Sequence, residues 1–320
     1  MGSEMCIRDR SGTLSSPNGL STPVLIDADG NGAVDRAYAG DLAGNLWEFD
    51  LAASSPSMWG VAQGSAERPA PLFITSNKRP ITTQPAASSH PDGLGGMMVY
   101  FGTGKYLEET DNQVSGQPTH SLYGVWDRDD GTSSTIAEST ILRQQIIDQR
   151  NRISTSVTGG YVSNVVREVT QHEIDWGTHR GWRLLLRPEN LSGVTSTENF
   201  GERQISPPTL RMGRLYFTTF QPQSDSCGSR GRSFLMQLDY RNGGMINVPG
   251  FDLNDDGKFD SADDVIAGMA LKGGVLGEIN LVNSKLQLHA LGAGWESGVI
   301  DAPIRPDTEL YGRQSWRQLE

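Results

Sequence analysis

Three pairs of short apolar runs, each ending on an apolar residue followed by aspartate, constrain the fold of this chain more than any other feature. Tyr38 to Asp50 reads as two strands around a tight Gly44-Asn45 turn, with β-favouring Leu46, Trp47 and Phe49 on the return. Met98-Val99-Tyr100-Phe101-Gly102 precedes Leu122-Tyr123-Gly124-Val125-Trp126-Asp127, and Arg214-Leu215-Tyr216-Phe217-Thr218 precedes Phe234-Leu235-Met236-Gln237-Leu238-Asp239. The closing pairs Phe49-Asp50, Trp126-Asp127 and Leu238-Asp239 are unequally spaced, so the repeat carries long insertions. Radially repeated antiparallel sheets give each such unit neighbours against which to bury its faces. The expected fold is therefore all-β, a modified, partial β-propeller with loop insertions and short helices. A β-sandwich with long loops is the alternative. The 38 glycines, set among Pro, Asn, Ser and Asp, punctuate the apolar runs in keeping with either.

At 320 residues the chain can bury a substantial core in one domain. Residues 1–10 hold an internal Met5, an isolated Cys6 and a charge-rich end, without strand alternation or a signal-peptide apolar region. They are read as an extraneous leader. Residues 11–320 are read as one propeller domain, truncated at its N-terminus. Two segments are expected to be helical. One runs from Glu138 to Gln149, with Ile141, Leu142, Ile146 and Ile147 as a partial stripe. The other starts at Ser261, with Asp264 three residues on, before Val265, Ile266 and Met269.

Two acidic loops carry the chemistry. Calcium takes several oxygens, and a calcium loop supplies them at positions 1, 3, 5, 7 (a carbonyl) and 9, around a glycine at 6. Asp27, Asp29, Asn31, the Ala33 carbonyl and Asp35 fit this series with Gly32 at the turn. The flanks 24–26 and 37–39 read as strands, so the loop is a calcium-clamped strand connection and not a helix-loop-helix. Tyr38 stands at position 12, where an acid usually closes the site. In the second loop Asp252, Asn254, Asp256, the Lys258 carbonyl and Asp260 repeat the series, Gly257 supplies the turn, and Asp263 occupies position 12. It is the more complete set and is expected to be the tighter site. Its exit into a Ser-capped helix resembles dockerin loops. The competing reading is that Asp, Asn and Gly gather here because they suit turns. Magnesium fits less well, since it prefers tighter octahedral geometry and keeps its waters.

The net charge of −11 argues against a nucleic-acid partner. No apolar run approaches the ~20 residues of a membrane span. The two cysteines, Cys6 and Cys227, make no disulfide framework. Nothing assembles an active site. His90, His120, His172, His179 and His289 are scattered, and His172-Glu173 lacks the second histidine of a zinc-protease helix. Gly102-Thr103-Gly104-Lys105 lacks the first glycine and the Ser/Thr of a phosphate loop, and reads as a strand-end turn. There is no Gly-x-Ser-x-Gly elbow. The aromatic pairs Tyr100-Phe101 and Tyr216-Phe217, with Trp47 and Trp126, could line a carbohydrate face but read better as blade core.

Residues 27–51, Phe101-Gly102-Thr103-Gly104-Lys105-Tyr106-Leu107, the 122–127 strand, Ser206-Pro207-Pro208, Tyr216-Phe217-Thr218-Thr219-Phe220 and the Asp252 loop occur in the order found in a known family. Over most of residues 20–270 the chain resembles the C-terminal propeller of PilY/PilC-type proteins, which act at the tip of type IV pili. The resemblance implies a secreted, non-enzymatic β-propeller at the cell surface, pilus tip or outer membrane. It implies minor pilins as partners and roles in pilus assembly, twitching motility and adhesion to a surface or host receptor. Bound Ca2+ would regulate pilus extension and retraction. The family's calcium loop falls on Asp27, Asp29, Asn31, Ala33 and Asp35. The large N-terminal region of such proteins and an integrin-binding Arg-Gly-Asp are absent from this sequence. Two other functions compete. A quinoprotein-like dehydrogenase would also use blades and calcium, but needs cofactor-stacking Trp and regular blade motifs. An extracellular binding module would use calcium only to stiffen loops.

Overall fold

In the computed structural model, the residues described are 17–114, 116, 118–131, 134–151, 162–189, 200–222, 231–254, 256–271, 275–282, 285–291, 299–303 and 305. The leader expected at 1–10, both cysteines and part of the 255–257 turn lie outside them.

The first sheet is built on the Tyr38-to-Asp50 hairpin. Strand β1 (Val24–Ile26) pairs antiparallel with β2 (Arg36–Gly40), which pairs with β3 (Asn45–Asp50). Short strands β4 (Gly60–Val61) and β5 (Phe73–Ile74) add to the far side of β3. Asp41 fixes the turn. Its buried carboxylate accepts from the Asn45 amide at 2.8 Å and from the side chains of Asn45, Asn18 and Trp47 at 2.8–2.9 Å. A buried carboxylate tolerates desolvation only when its lone pairs are filled in this way.

The second sheet contains ten strands. In chain order they are β6 (Ala86–Ser89), β7 (Met97–Gly102), β8 (Ser121–Asp127), β9 (Leu142–Asn151), β10 (Val162–Val169), β11 (Gly181–Pro188), β12 (Thr209–Arg211), β13 (Arg214–Gln221), β14 (Arg232–Asp239) and β15 (Gly268–Leu271). Their spatial order is β12-β13-β14-β15-β10-β9-β11-β8-β7-β6, and its two ends, β6 and β12, approach each other. All neighbours are antiparallel except β9 and β11. A third sheet holds β16 (Val275–Val282), β17 (Lys285–Leu291) and β18 (Val299–Pro303).

Alternation explains how β7 serves two cores. Met98 and Tyr100 point into the core enclosed by the curled second sheet, whereas Met97, Val99 and Phe101 point to the core shared with the first. A strand buried on both faces reads as an unbroken apolar run, as Met97–Gly102 does. Tyr100, Phe101, Tyr216 and Phe217 are each no more than 1% exposed, so these aromatics are blade core. Burying side chains of this size contributes roughly 1.5–3 kcal/mol apiece. Trp182 centres the larger core: its indole donates to the Tyr240 carbonyl, and a Cβ on Gly124 would stand 2.6 Å from its ring.

Both helix expectations fail. The 138–149 segment is a single 3-10 turn, Glu138–Thr140, followed by β9. Gln144 and Ile146 are its buried positions, a period of two disguised by a polar core residue. Gln144 donates to the carbonyls of His172 and Asn242 and accepts from Thr170 Oγ1 and the His172 amide, so its burial is fully compensated. Residues 261–263 form only a turn before the chain enters β15. Among the described residues the other helical elements are 3-10 turns at Pro56–Met58, Ser76–Lys78 and Glu109–Asn112.

Candidate metal centre

The Asp27 loop connects β1 to β2, as its flanks suggest. The Asp35 amide donates to the Ile26 carbonyl at 2.8 Å, closing the loop, and the Leu51 amide donates to the Asp35 carbonyl at 2.8 Å, tying it to the end of β3. Inside, side-chain oxygens capture backbone amides. Asp27 Oδ1 accepts from Gly30 and Asn31 at 2.7 and 3.1 Å, and Oδ2 from Gly32 at 2.8 Å. Asp29 Oδ1 accepts from the Asn31 amide at 3.0 Å, and Asn31 Oδ1 from Ala33 at 2.7 Å. Asp35 Oδ2 accepts from Ala28 at 2.6 Å and Asp29 at 3.4 Å. Gly32 has φ +91°, a conformation that a side chain would strain.

These bonds turn the carboxylates of Asp27, Asp29 and Asp35 toward one another, with one oxygen of each within 4.8 Å of the others. Three negative groups so close repel unless a cation or solvent screens them. The donor set is all oxygen and suits a hard divalent cation.

The Asp252 loop repeats the same turn. Asp252 accepts from the amides of Asp256 and Gly257 at 3.3 and 2.8 Å, Asn254 from Asp256 at 3.1 Å, and Asp256 from Lys258 at 2.8 Å. These are positions 1 to 5, 1 to 6, 3 to 5 and 5 to 7, the same four bonds as in the first loop. Gly257 has φ +77°. The closure differs. Asp263, only 5% exposed, accepts from the Leu253 amide at 2.8 Å and from Asp260 at 3.4 Å, taking the backbone role that Asp35 plays in the first loop. Asp260 instead accepts from the Ala262 amide at 2.8 Å. Burial pushes the Asp263 carboxyl above its ordinary range, against the pull of these amides, and Asp252 adds to the rise. Among the described residues the first loop alone brings three carboxylates to within 4.8 Å of one another.

Tyr38, at position 12 of the first loop, belongs to β2. Its fully buried hydroxyl donates to Asp127 Oδ2 at 2.6 Å. Asp127 leads to a group that pattern reading missed. Arg36 lies 3.8 Å from Glu48 and 3.7 Å from Asp127, and pairs with Asp129, while Gln63 Nε2 donates to Glu48 Oε2 at 2.8 Å. Burial, then the neighbouring Asp127, raises Glu48 to about 8. The available signal was an acid in register with Leu46 on the inward face of β3.

Fold and loops together define a β-propeller with oxygen-rich turns set into its strand connections. The chain belongs to the PilY1 β-propeller family, whose model matches residues 4–158. It is 34% identical to a type IV pilus biogenesis factor PilY1 homolog of Xylella fastidiosa over 242 residues, covering 72% of this chain and 15% of that protein. With type IV pilus biogenesis factor PilY1 of Pseudomonas aeruginosa strain UCBPP-PA14 it shares 31% identity over 339 aligned positions, 95% of this chain and 28% of that one. The chain thus spans less than a third of the length of either relative. The crystal structure of the P. aeruginosa PilY1 C-terminal domain superposes with a TM-score of 0.72 at 25% identity, covering 93% of this chain and 62% of that domain.

Proposed function

We propose that this chain is the calcium-binding propeller portion of a type IV pilus biogenesis factor and that it works by binding, not by catalysis. The observation that carries the reading is the convergence of Asp27, Asp29 and Asp35 in a chain whose relatives are named type IV pilus biogenesis factors. A bound calcium ion supplies positive charge that relieves the repulsion among these carboxylates. Asn31 and the Ala33 carbonyl complete the oxygen set. Because the Asp35 carbonyl also holds the Leu51 amide, ordering the loop stiffens the β2–β3 hairpin. The stiffened blade then presents a surface to minor pilins or to a surface or host receptor. On this reading the chain acts outside the cell, at the cell surface, pilus tip or outer membrane, in pilus assembly, twitching motility and adhesion.

Calorimetry of the full chain against CaCl2, after removal of divalent ions with chelator, tests the metal. A saturable heat that disappears in Asp27→Ala supports it, and no heat in the parent chain overturns it. Deletion of the gene tests the pathway: intact piliation and motility in the deletion strain would exclude a role in pilus biogenesis.

A further inference from the structure

Beside the Asp27 loop lies a cavity of about 440 Å³, bounded by the first sheet, the end of β8 and the segment that follows it. We propose that it is a binding site for the cationic end of a lysine or arginine side chain carried by another protein. Four observations converge on this.

The lining is acidic well beyond internal neutralisation. Glu48, Asp127 and Asp129 surround Arg36, and Asp50 and Asp130 line the same space. Asp29 and Asp35 extend the acidic wall from the loop, so among the described lining residues there are seven carboxyl groups and two guanidinium groups, those of Arg36 and Arg180. Glu48, raised to about 8, gives up one of those charges at neutral pH, and six still face two. A cleft lined by one sign of charge concentrates ions of the other.

Gln63 lines the cavity with its Nε2 spent on Glu48. Ammonium and guanidinium groups carry several donors and no acceptor, matching a lining of acceptors.

The size fits an organic cation better than a bare ion. A metal needs oxygens at about 2.0–2.6 Å on every side, whereas this cavity holds many times the volume of an ion. Ala28, Ala52, Ala62 and Leu72 lie along the same wall as the acids and suit a methylene stem. Arg36 itself demonstrates the chemistry, because its guanidinium already rests among these carboxylates.

The inference goes beyond the calcium reading but shares Asp29 and Asp35 with it, so work in chelator probes the cavity with no ion on those carboxylates. The test titrates the full chain in EDTA with Ac-Gly-Lys-Gly-NH2 and Ac-Gly-Arg-Gly-NH2, following backbone amide resonances. Both peptides should shift residues 48, 62–63 and 127–130, and the isosteric citrulline peptide should not. Asp129→Asn, at a side chain 56% exposed, should weaken binding about fivefold, the worth of a ~1 kcal/mol ion pair. Ala62→Leu should weaken it by filling space without changing charge, whereas Asp92→Asn, outside the cavity, should leave it unchanged. No shift with either peptide, equal binding of citrulline, or equal loss in Asp92→Asn would overturn the site. 1,5-Diaminopentane binding as tightly as the lysine peptide would overturn the protein-borne assignment in favour of a free amine.

Discussion

The Asp27 and Asp252 loops share four amide-to-side-chain hydrogen bonds at the same relative positions and a left-handed glycine at the same place, yet they end differently. In the first, the position-9 acid closes the turn and remains grouped with the other carboxylates. In the second, the position-12 acid is buried and spends both oxygens on backbone amides. The longer row of acids is therefore not the more convergent one. Amide acceptance alone does not separate the loops, because Asp27 also accepts through both oxygens; what differs is that Asp263 is only 5% exposed, whereas Asp27, Asp29 and Asp35 keep exposed surface and stay grouped.

Calcium should separate the loops most widely. At a concentration 100 times its Kd, calcium should stabilise the parent chain by about 2.7 kcal/mol in urea unfolding. Asp27→Ala should abolish that gain and Asp252→Ala should retain most of it; the opposite pattern would reverse the comparison. Next, Asp263→Ala in chelator should cost about 2 kcal/mol, the penalty for leaving buried amides unpaired. Equal loss in Asp35→Ala would erase the distinction between a half-buried closure and a buried one.

A third contrast concerns pH. Glu48, beside the first loop, rises from the ordinary glutamate value to about 8 because its charged form is disfavoured in the fold. The stability it contributes is therefore complete below about 4.5, the ordinary value, and is lost progressively as pH rises from there to about 8. The slope is at most about 1.4 kcal/mol per pH unit, and Glu48→Gln should flatten it in a pH series of unfolding curves. Smallest is Tyr38→Phe, which removes one buried hydrogen bond to Asp127 and should cost about 1 kcal/mol by thermal unfolding, with no change in calcium response.

What could be read in advance followed the physics of local pattern. The aromatic hairpins, the strand flanks of the Asp27 loop and the glycine turns depend on neighbours in sequence, and they stand where periodicity and turn chemistry place them. Strand β9 was hidden because Gln144 is a polar residue buried by partners 26 to 98 residues away. The 261–264 segment mimicked a helix start, with Ser261 as cap and Asp264 three residues on, because a helix N-terminus and a tight turn recruit the same small polar and acidic residues. The acidic cavity was invisible for a different reason. Glu48, Gln63 and Asp127 meet only when the first sheet docks on the end of β8, and no spacing rule encodes that docking.

The exceptional parallel pairing of β9 with β11 has a consequence for how the molecule opens. A propeller blade is ordinarily a separate four-stranded sheet with its own edges. Here β9 is hydrogen-bonded on both sides, to β10 and to β11, and the ladder runs unbroken from β6 to β12. The two halves of that sheet thus form one cooperative unit, and their amides should exchange with solvent together, while the first sheet, with its own ladder, is free to exchange at its own rate.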